Sequence, residues 1–225
     1  MKKVIFLVSG GGGTLKYFFY YTKLFPKEIN IVAVIGDREC EAIDFARKNF
    51  ISNYIVKYSK EKHEELNLLF SSLTSDIVVT NIHKILDKTT LNSCRAEFIN
   101  LHYSVLPSFK GFIGMKTVDE AKKSNCKFIG VTTHFVNEEL DGGKIIFQAT
   151  FNPDWDSTDM DIIYDIVFQI GCIALLSTLL SLLGENNTEG DRYEKTLIIK
   201  GKQVFFSDYL PISLELHNSV YSLLN

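Results

Sequence analysis

The sequence predicts an α/β protein with a doubly wound, mostly parallel sheet, an antiparallel extension and a C-terminal hairpin. Three observations carry this reading. Short β-branched apolar runs alternate with amphipathic segments over the first hundred residues. The first of those runs ends in four consecutive glycines. After Pro107 the pattern changes to paired strands around one long apolar helix.

Lys3 to Val8 is a continuous apolar run, the signature of a strand covered on both faces. It stops at Ser9-Gly10-Gly11-Gly12-Gly13, and Leu15, Phe18, Phe19 and Leu24 then recur at helical spacing. Ile29 to Ile35 is a second strand closed by Gly36-Asp37, and Glu41 to Asn49 is helical. Tyr54-Ile55-Val56 is a short strand and Lys60 to Leu73 an amphipathic helix. Asp76 to Thr80 and Phe98 to Leu101 are further strands, with a short helix over Lys84 to Cys94 between them. Beyond Pro107, Met115 to Lys123 forms a short helix. Phe128 to Val136 and Lys144 to Phe151 are strands joined through Asn137 to Gly143 as a long-looped hairpin. The apolar helix covers Met160 to Leu183, Gly184 to Asp191 is a polar loop, and Thr196 to Phe206 turns at Lys200-Gly201-Lys202 as a terminal hairpin.

Composition narrows the function classes. The 225 residues are 46% hydrophobic and 23% charged, which suits one sizeable globular domain with neither linker nor repeat. Lys+Arg 24 against Asp+Glu 27 gives a net charge of −3, without the basic excess that marks a nucleic-acid partner. Cys40, Cys94, Cys126 and Cys172 show no CxxC spacing, so they read as reduced thiols with no disulfide frame or zinc site. The apolar run after Met1-Lys2-Lys3 is too short for a signal peptide. Ile162 to Leu183 is long enough to span a bilayer but carries Asp165 and Gln169, which favours a buried helix. A cytoplasmic protein with no membrane, nucleic-acid or metal partner is expected.

Three constellations carry candidate chemistry. The glycine run leaves backbone N–H groups uncovered where a helix begins, a geometry that suits a phosphate, although a plain βα turn uses the same residues. Asn100 and His102 share one face of a strand whose end opens toward a ligand crevice. Glu138-Glu139-Leu140-Asp141-Gly142-Gly143 is either a functional loop or an Asp-capped turn. His134 is either a ligand contact or a packed histidine.

Together, the Ser-Gly-rich turn, Asn-x-His-x-Ser-x-Leu-Pro from Asn100 to Pro107, His134-Phe135-Val136 and Leu140-Asp141-Gly142-Gly143 resemble the folate-dependent formyltransferases. The detailed spacing is most similar to the phosphoribosylglycinamide formyltransferases, over roughly residues 3 to 183. The resemblance implies a Rossmann-type formyltransferase fold in a single domain. Residues 1–97 would form a phosphate- and substrate-binding half, 98–190 a catalytic and folate-binding half, and 191–225 a hairpin extension. It implies 10-formyltetrahydrofolate as co-substrate and Asn100, His102 and Asp141 as the catalytic trio. His83, Lys84, Ile85 and Leu86, with Glu138 and Glu139, would hold the folate. Gly10, Gly11, Gly12, Gly13, Thr14, Lys110 and His134 would hold the acceptor. That acceptor is expected to be a phosphorylated amine, first glycinamide ribonucleotide, with a nucleotide-linked amino sugar as the alternative. A nonenzymatic nucleotide-binding module would have no need of the trio.

The departures from the family pattern lie on the acceptor side. Gly13-Thr14 stands where relatives carry a polar Ser/Thr-Asn pair. Ile170-Gly171 aligns with a Glu-His pair that helps hold glycinamide, and Tyr103 replaces the usual Pro after the histidine.

Overall fold

The computed structural model describes residues 1–25, 29–59, 61–184 and 194–224. Its internal contacts divide the chain into two compact units. Residues 1–100, 135–140 and 224 make up the first, and residues 101–134 and 141–223 fall in the second.

The first unit is a parallel sheet in the order β3-β2-β1-β4-β5. Its strands are β1 (Lys2–Val8), β2 (Ile29–Gly36), β3 (Asn53–Ile55), β4 (Ile77–Asn81) and β5 (Glu97–His102), the last of which runs on into the second unit. Helices α1 (Gly13–Leu24), α2 (Glu41–Lys48), α3 (Glu64–Leu73) and α4 (Lys88–Leu91) connect them. β1 is central, pairing in parallel with β2 on one side and β4 on the other. From Val4 to Val8 all five of its residues are buried, as a strand covered on both faces requires. On one face Ile5 and Leu7 pack with Ile35, Phe70, Val78 and Phe98.

Because the chain leaves β1 toward β2 and returns beyond it to β4, the C-terminal end of β1 is where the winding reverses. Ligands of doubly wound sheets gather at such a point. The glycine run sits there. Gly12 has φ +66°, and a side chain on it would place Cβ 2.6 Å from Ala42 Cβ, so only glycine fits.

The expected helices shift in two places. The turn before α3 is taken up by an isolated bridge between Ser59 and Lys62, and the helix starts at Glu64. The helix expected over Lys84 to Cys94 is confined to Lys88–Leu91. Asp87 caps it by accepting from Thr90 N–H, and Lys84 is drawn away to the Tyr58 carbonyl.

The second unit holds α5 (Lys116–Lys123), β6 (Ile129–Phe135), β7 (Ile145–Phe151), α6 (Met160–Leu182), β8 (Thr196–Ile199), β9 (Lys202–Phe206) and α7 (Leu214–Tyr221). β6, whose last residue belongs to the first unit, pairs antiparallel with β7. β7 pairs antiparallel with β9, and β9 with β8. Both expected hairpins are therefore present. The polar loop expected over Gly184 to Asp191 lies outside the described residues except for Gly184. α6 is long and apolar enough to cross a membrane by length and composition, yet 78% of its most apolar window is buried within the protein.

The sequence pattern gives no sign of α7. Ser213 caps it by accepting from Leu216 N–H, and it docks on α6 through polar groups. His217 Nε2 lies 3.1 Å from Gln169 Oε1, and Gln169 Nε2 donates to Asp165 Oδ2 at 3.0 Å. The Tyr221 hydroxyl and Lys200 ammonium also bind the Asp165 carboxylate, and the His217 ring stacks on Tyr221 at 5.5 Å.

His217 is fully buried, and burial lowers its pKa from 6.5 to about 4. Between those values the unfolded chain binds a proton that the folded one refuses. The stability His217 contributes is therefore complete above about pH 6.5 and is lost as pH falls through 4. A His217→Gln variant should lose less melting temperature than the parent between pH 7.5 and pH 5. Parallel declines in the two proteins would show that His217 does not govern this pH range.

Candidate active site

β5 ends at His102, and Asn100, two residues earlier on the strand, faces the same way. β6 carries His134, and the loop beyond it returns Asp141. His102 Nδ1 lies 3.4 Å from Asp141 Oδ2, and His134 Nε2 lies 3.7 Å from Asp141 Oδ1. The three side chains are only 6%, 3% and 11% exposed, taking His102, His134 and Asp141 in turn. Gly111 N–H adds a 2.8 Å hydrogen bond to Asp141 Oδ2.

Asp141 has φ +49°, a left-handed conformation that Asp and Asn adopt more readily than most residues. The turn reading and the functional reading of Asp-Gly-Gly are therefore compatible. A tight backbone turn directs the carboxylate at two imidazoles.

Burial pushes the Asp141 carboxyl up. The His134 imidazole 3.7 Å away, Gly111 N–H and the charge of His102 outweigh it, and the pKa falls below the usual 3.8. His102 moves down from 6.5, chiefly by burial, with Asp141 and the Phe109 carbonyl pulling upward against it. Near neutral pH the site holds an ionised carboxylate against a neutral imidazole. His102 Nε2 also meets the Phe109 carbonyl at 3.0 Å. A neutral ring satisfies only one of its two flanking acceptors and an imidazolium satisfies both, which is the upward pull that burial outweighs.

Asn100 is held more tightly than its sequence position indicated. Its Nδ2 donates to the Thr80 carbonyl and lies 3.3 Å from Thr80 Oγ1, while that hydroxyl donates to the Ile99 carbonyl at 3.0 Å.

The glycine turn belongs to the first unit. No side-chain oxygen caps α1, so its first N–H groups meet no side-chain acceptor. A side chain at Gly10 would meet nothing within 4 Å, and one at Gly11 would come 3.6 Å from Glu41 Oε2. Lys16 Nζ is 3.8 Å from that same carboxylate oxygen. Thr14 is buried, and its hydroxyl accepts from Asn81 Nδ2 at 3.1 Å.

Of the four residues expected to contact folate first, His83 is exposed, with its N–H 3.4 Å from Ser9 Oγ, and Lys84 is tied to Tyr58. Ile85 is 40% exposed, whereas Leu86 is part of the core and offers only its backbone. Glu138 pairs with Lys88 at 3.8 Å, and Glu139 N–H donates to Asn137 Oδ1. A cavity of about 350 Å³ lies here, lined by Leu91, Phe98, Phe135 and Val136 together with Lys88 and Glu138. Lys110 is exposed on its loop.

Ile170 is fully buried and presents no polar group. A side chain at Gly171 would come 3.0 Å from Tyr103 Cε1 and 3.2 Å from Leu101 Cδ2. The departures at positions 103 and 171 are thus one packing arrangement, in which the Tyr103 ring occupies space that a larger residue on α6 would need. The groups the sequence did not reveal are the Phe109 carbonyl, Gly111 N–H and the Thr80 carbonyl. All three belong to the backbone, which carries no residue-type signal.

Residues 2–169 match the family described as formyl transferase. The mitochondrial formyltetrahydrofolate deformylase 2 of Arabidopsis thaliana is 34% identical over 125 residues, covering 53% of this chain and 37% of that protein. A phosphoribosylglycinamide formyltransferase of Haemophilus influenzae is 29% identical over 162 residues, 66% of this chain and 72% of that protein. Among curated relatives that it matches, the chain spans 37%, 55% and 50% of the length of three. The solved phosphoribosylglycinamide formyltransferase from Bacillus halodurans superposes with a TM-score of 0.74, over 82% of this chain and 96% of that one. At 24% identity it establishes the fold.

Removing the charge at Asp141 takes away the group that holds the His102 pKa up. Asp141→Asn, which tolerates the same left-handed backbone, should fold and lower the His102 titration midpoint measured by NMR. A rise in the midpoint would contradict this electrostatic assignment.

Proposed function

The chain belongs to the formyl transferase family, and from that premise we propose that it transfers a formyl group from 10-formyltetrahydrofolate to the amine of a phosphorylated small molecule. Glycinamide ribonucleotide is the first candidate acceptor. The observation that carries this reading is the buried His102–Asp141 pair, 3.4 Å apart, on the strand end that also bears Asn100.

The co-substrate supplies the formyl carbon and a nitrogen leaving group. The amine must lose a proton and the leaving nitrogen must gain one. Neutral His102 takes up the first and, as an imidazolium, returns a proton to the second. Asp141 stays ionised and holds the ring while it carries charge. Asn100 offers an N–H to the oxygen on which negative charge gathers, once that oxygen competes with Thr80. Preorganised donors of this kind are typically worth about 3 kcal/mol each. A reacting group at His102 Nε2 must take the place of the Phe109 carbonyl.

For the folate we assign the exposed stretch around His83, Lys84 and Ile85 and the backbone of Leu86, with Glu138 and Glu139 beside the cavity. Its floor of Leu91, Phe98 and Val136 and its polar Lys88 and Glu138 suit an aromatic heterocycle with hydrogen-bonding edges. For the acceptor phosphate we assign the N–H groups of Gly10 to Thr14. Four free thiols support a reducing compartment and hence the cytoplasm.

A second reading takes water as the formyl acceptor and releases formate. Ile170-Gly171 favours it, because this pair stands where the family pattern has the Glu-His pair that helps hold glycinamide. Relatives of this chain include formyltetrahydrofolate deformylases.

Incubation with 10-formyltetrahydrofolate, with and without a panel of phosphorylated amines and nucleotide-linked amino sugars, separates these readings. Formylated amine supports the first and formate alone the second. In either case His102→Ala should slow turnover by at least about a hundredfold while folate binding persists. Parent-like turnover would make His102 structural.

A further inference from the structure

We propose that Gln148 and Thr132 are positioning residues for His102 and Asp141, and that the C-terminal hairpin beyond the family-matched segment holds them in place. The inference rests on the formyl-transfer reading only for its kinetic readout; its geometry stands alone.

Gln148 and Thr132 face each other across β6 and β7. Gln148 Nε2 donates to the Leu106 carbonyl and to Thr132 Oγ1, both at 3.1 Å. The fully buried Thr132 hydroxyl accepts from Leu106 N–H at 3.0 Å and donates to the Ser104 carbonyl at 2.7 Å. Two side chains thus satisfy three backbone groups of the loop that leaves His102. Further along, the same loop presents the Phe109 carbonyl to His102 Nε2 and Gly111 N–H to Asp141 Oδ2. Fixing the loop at 104 and 106 therefore fixes the partners of both catalytic groups.

Gln148 is itself gripped from behind. Its N–H donates to Ser207 Oγ at 3.0 Å, and its carbonyl accepts from Ser207 N–H at 2.9 Å. Ser207 follows β9, well past residue 169 where the family match ends. The path runs from hairpin to Gln148, from Gln148 to the loop, and from the loop to His102 and Asp141. The buried Thr132 hydroxyl and the half-buried Gln148 amide are satisfied together only in one arrangement, which is how they confer precision.

The test compares the parent with Gln148→Leu, Thr132→Val, Thr132→Ser and Ser207→Ala. For each, kcat and the Michaelis constant toward the folate donor are measured, together with circular dichroism and the NMR titration of His102. Gln148→Leu and Thr132→Val should lose at least about tenfold in kcat with the Michaelis constant unchanged, since small displacements of reacting groups cost that much or more. The His102 titration should shift in both. Thr132→Ser, which keeps the hydroxyl, should restore kcat and titration, and Ser207→Ala should show the same defect in weaker form. Folded variants with parent-like kcat and an unmoved His102 titration would overturn the proposal. Should the parent transfer no formyl group, the functional reading fails, and the His102 titration alone decides the positioning role. If Gln148→Leu does not fold, the Thr132 pair and Ser207→Ala decide it.

Discussion

The site depends on one carboxylate kept ionised out of water. Desolvation works against Asp141, and three polar partners reverse it: His134 on one oxygen, and His102 and Gly111 N–H on the other. Losing one partner would leave a buried charge short of compensation, which is expensive. The surrounding features can be understood as the means of assembling those partners. β5 delivers His102, β6 delivers His134, and the left-handed backbone at Asp141 turns its carboxylate back between them. The loop from Tyr103 to Gly111 closes the arrangement from its other side.

The acceptor side is organised differently. In the first unit the fold places a glycine turn at the reversal of winding, where Gly12 is demanded by Ala42 and not by a ligand. The turn offers N–H groups, Thr14 accepts from Asn81, and the Glu41 carboxylate stands close by. In the second unit Tyr103 packs over Gly171, and Ile170-Gly171 stands where the family pattern has a Glu-His pair. On the proposed reading the departures thus fall on the acceptor side and leave Asn100, His102 and Asp141 in place.

Much of this was legible in the amino-acid order. The parallel strands were readable because double burial forces uninterrupted apolar runs such as Val4 to Val8. Both hairpins were readable from their turns. Lys84 to Cys94 misled because its residues suit a helix, while Asp87 provides a cap that starts one only at Lys88. α7 was missed because its anchoring to α6 is polar, through His217, Gln169 and Asp165, and leaves little apolar period to detect. Asn100, His102 and Asp141 were singled out from their motif context, and the structure sets His102 3.4 Å from Asp141. Their backbone partners at Phe109, Gly111 and Thr80 were invisible, since only folding gives a carbonyl or an N–H its role.

The most direct test follows a 13C-labelled formyl group from 10-formyltetrahydrofolate in a single turnover, comparing the parent with Asp141→Asn. The account predicts that both proteins bind the donor with similar affinity. The label should leave the donor in the parent, and at least about a hundredfold more slowly in the variant. Equal rates in two folded proteins that bind the donor equally would contradict the account.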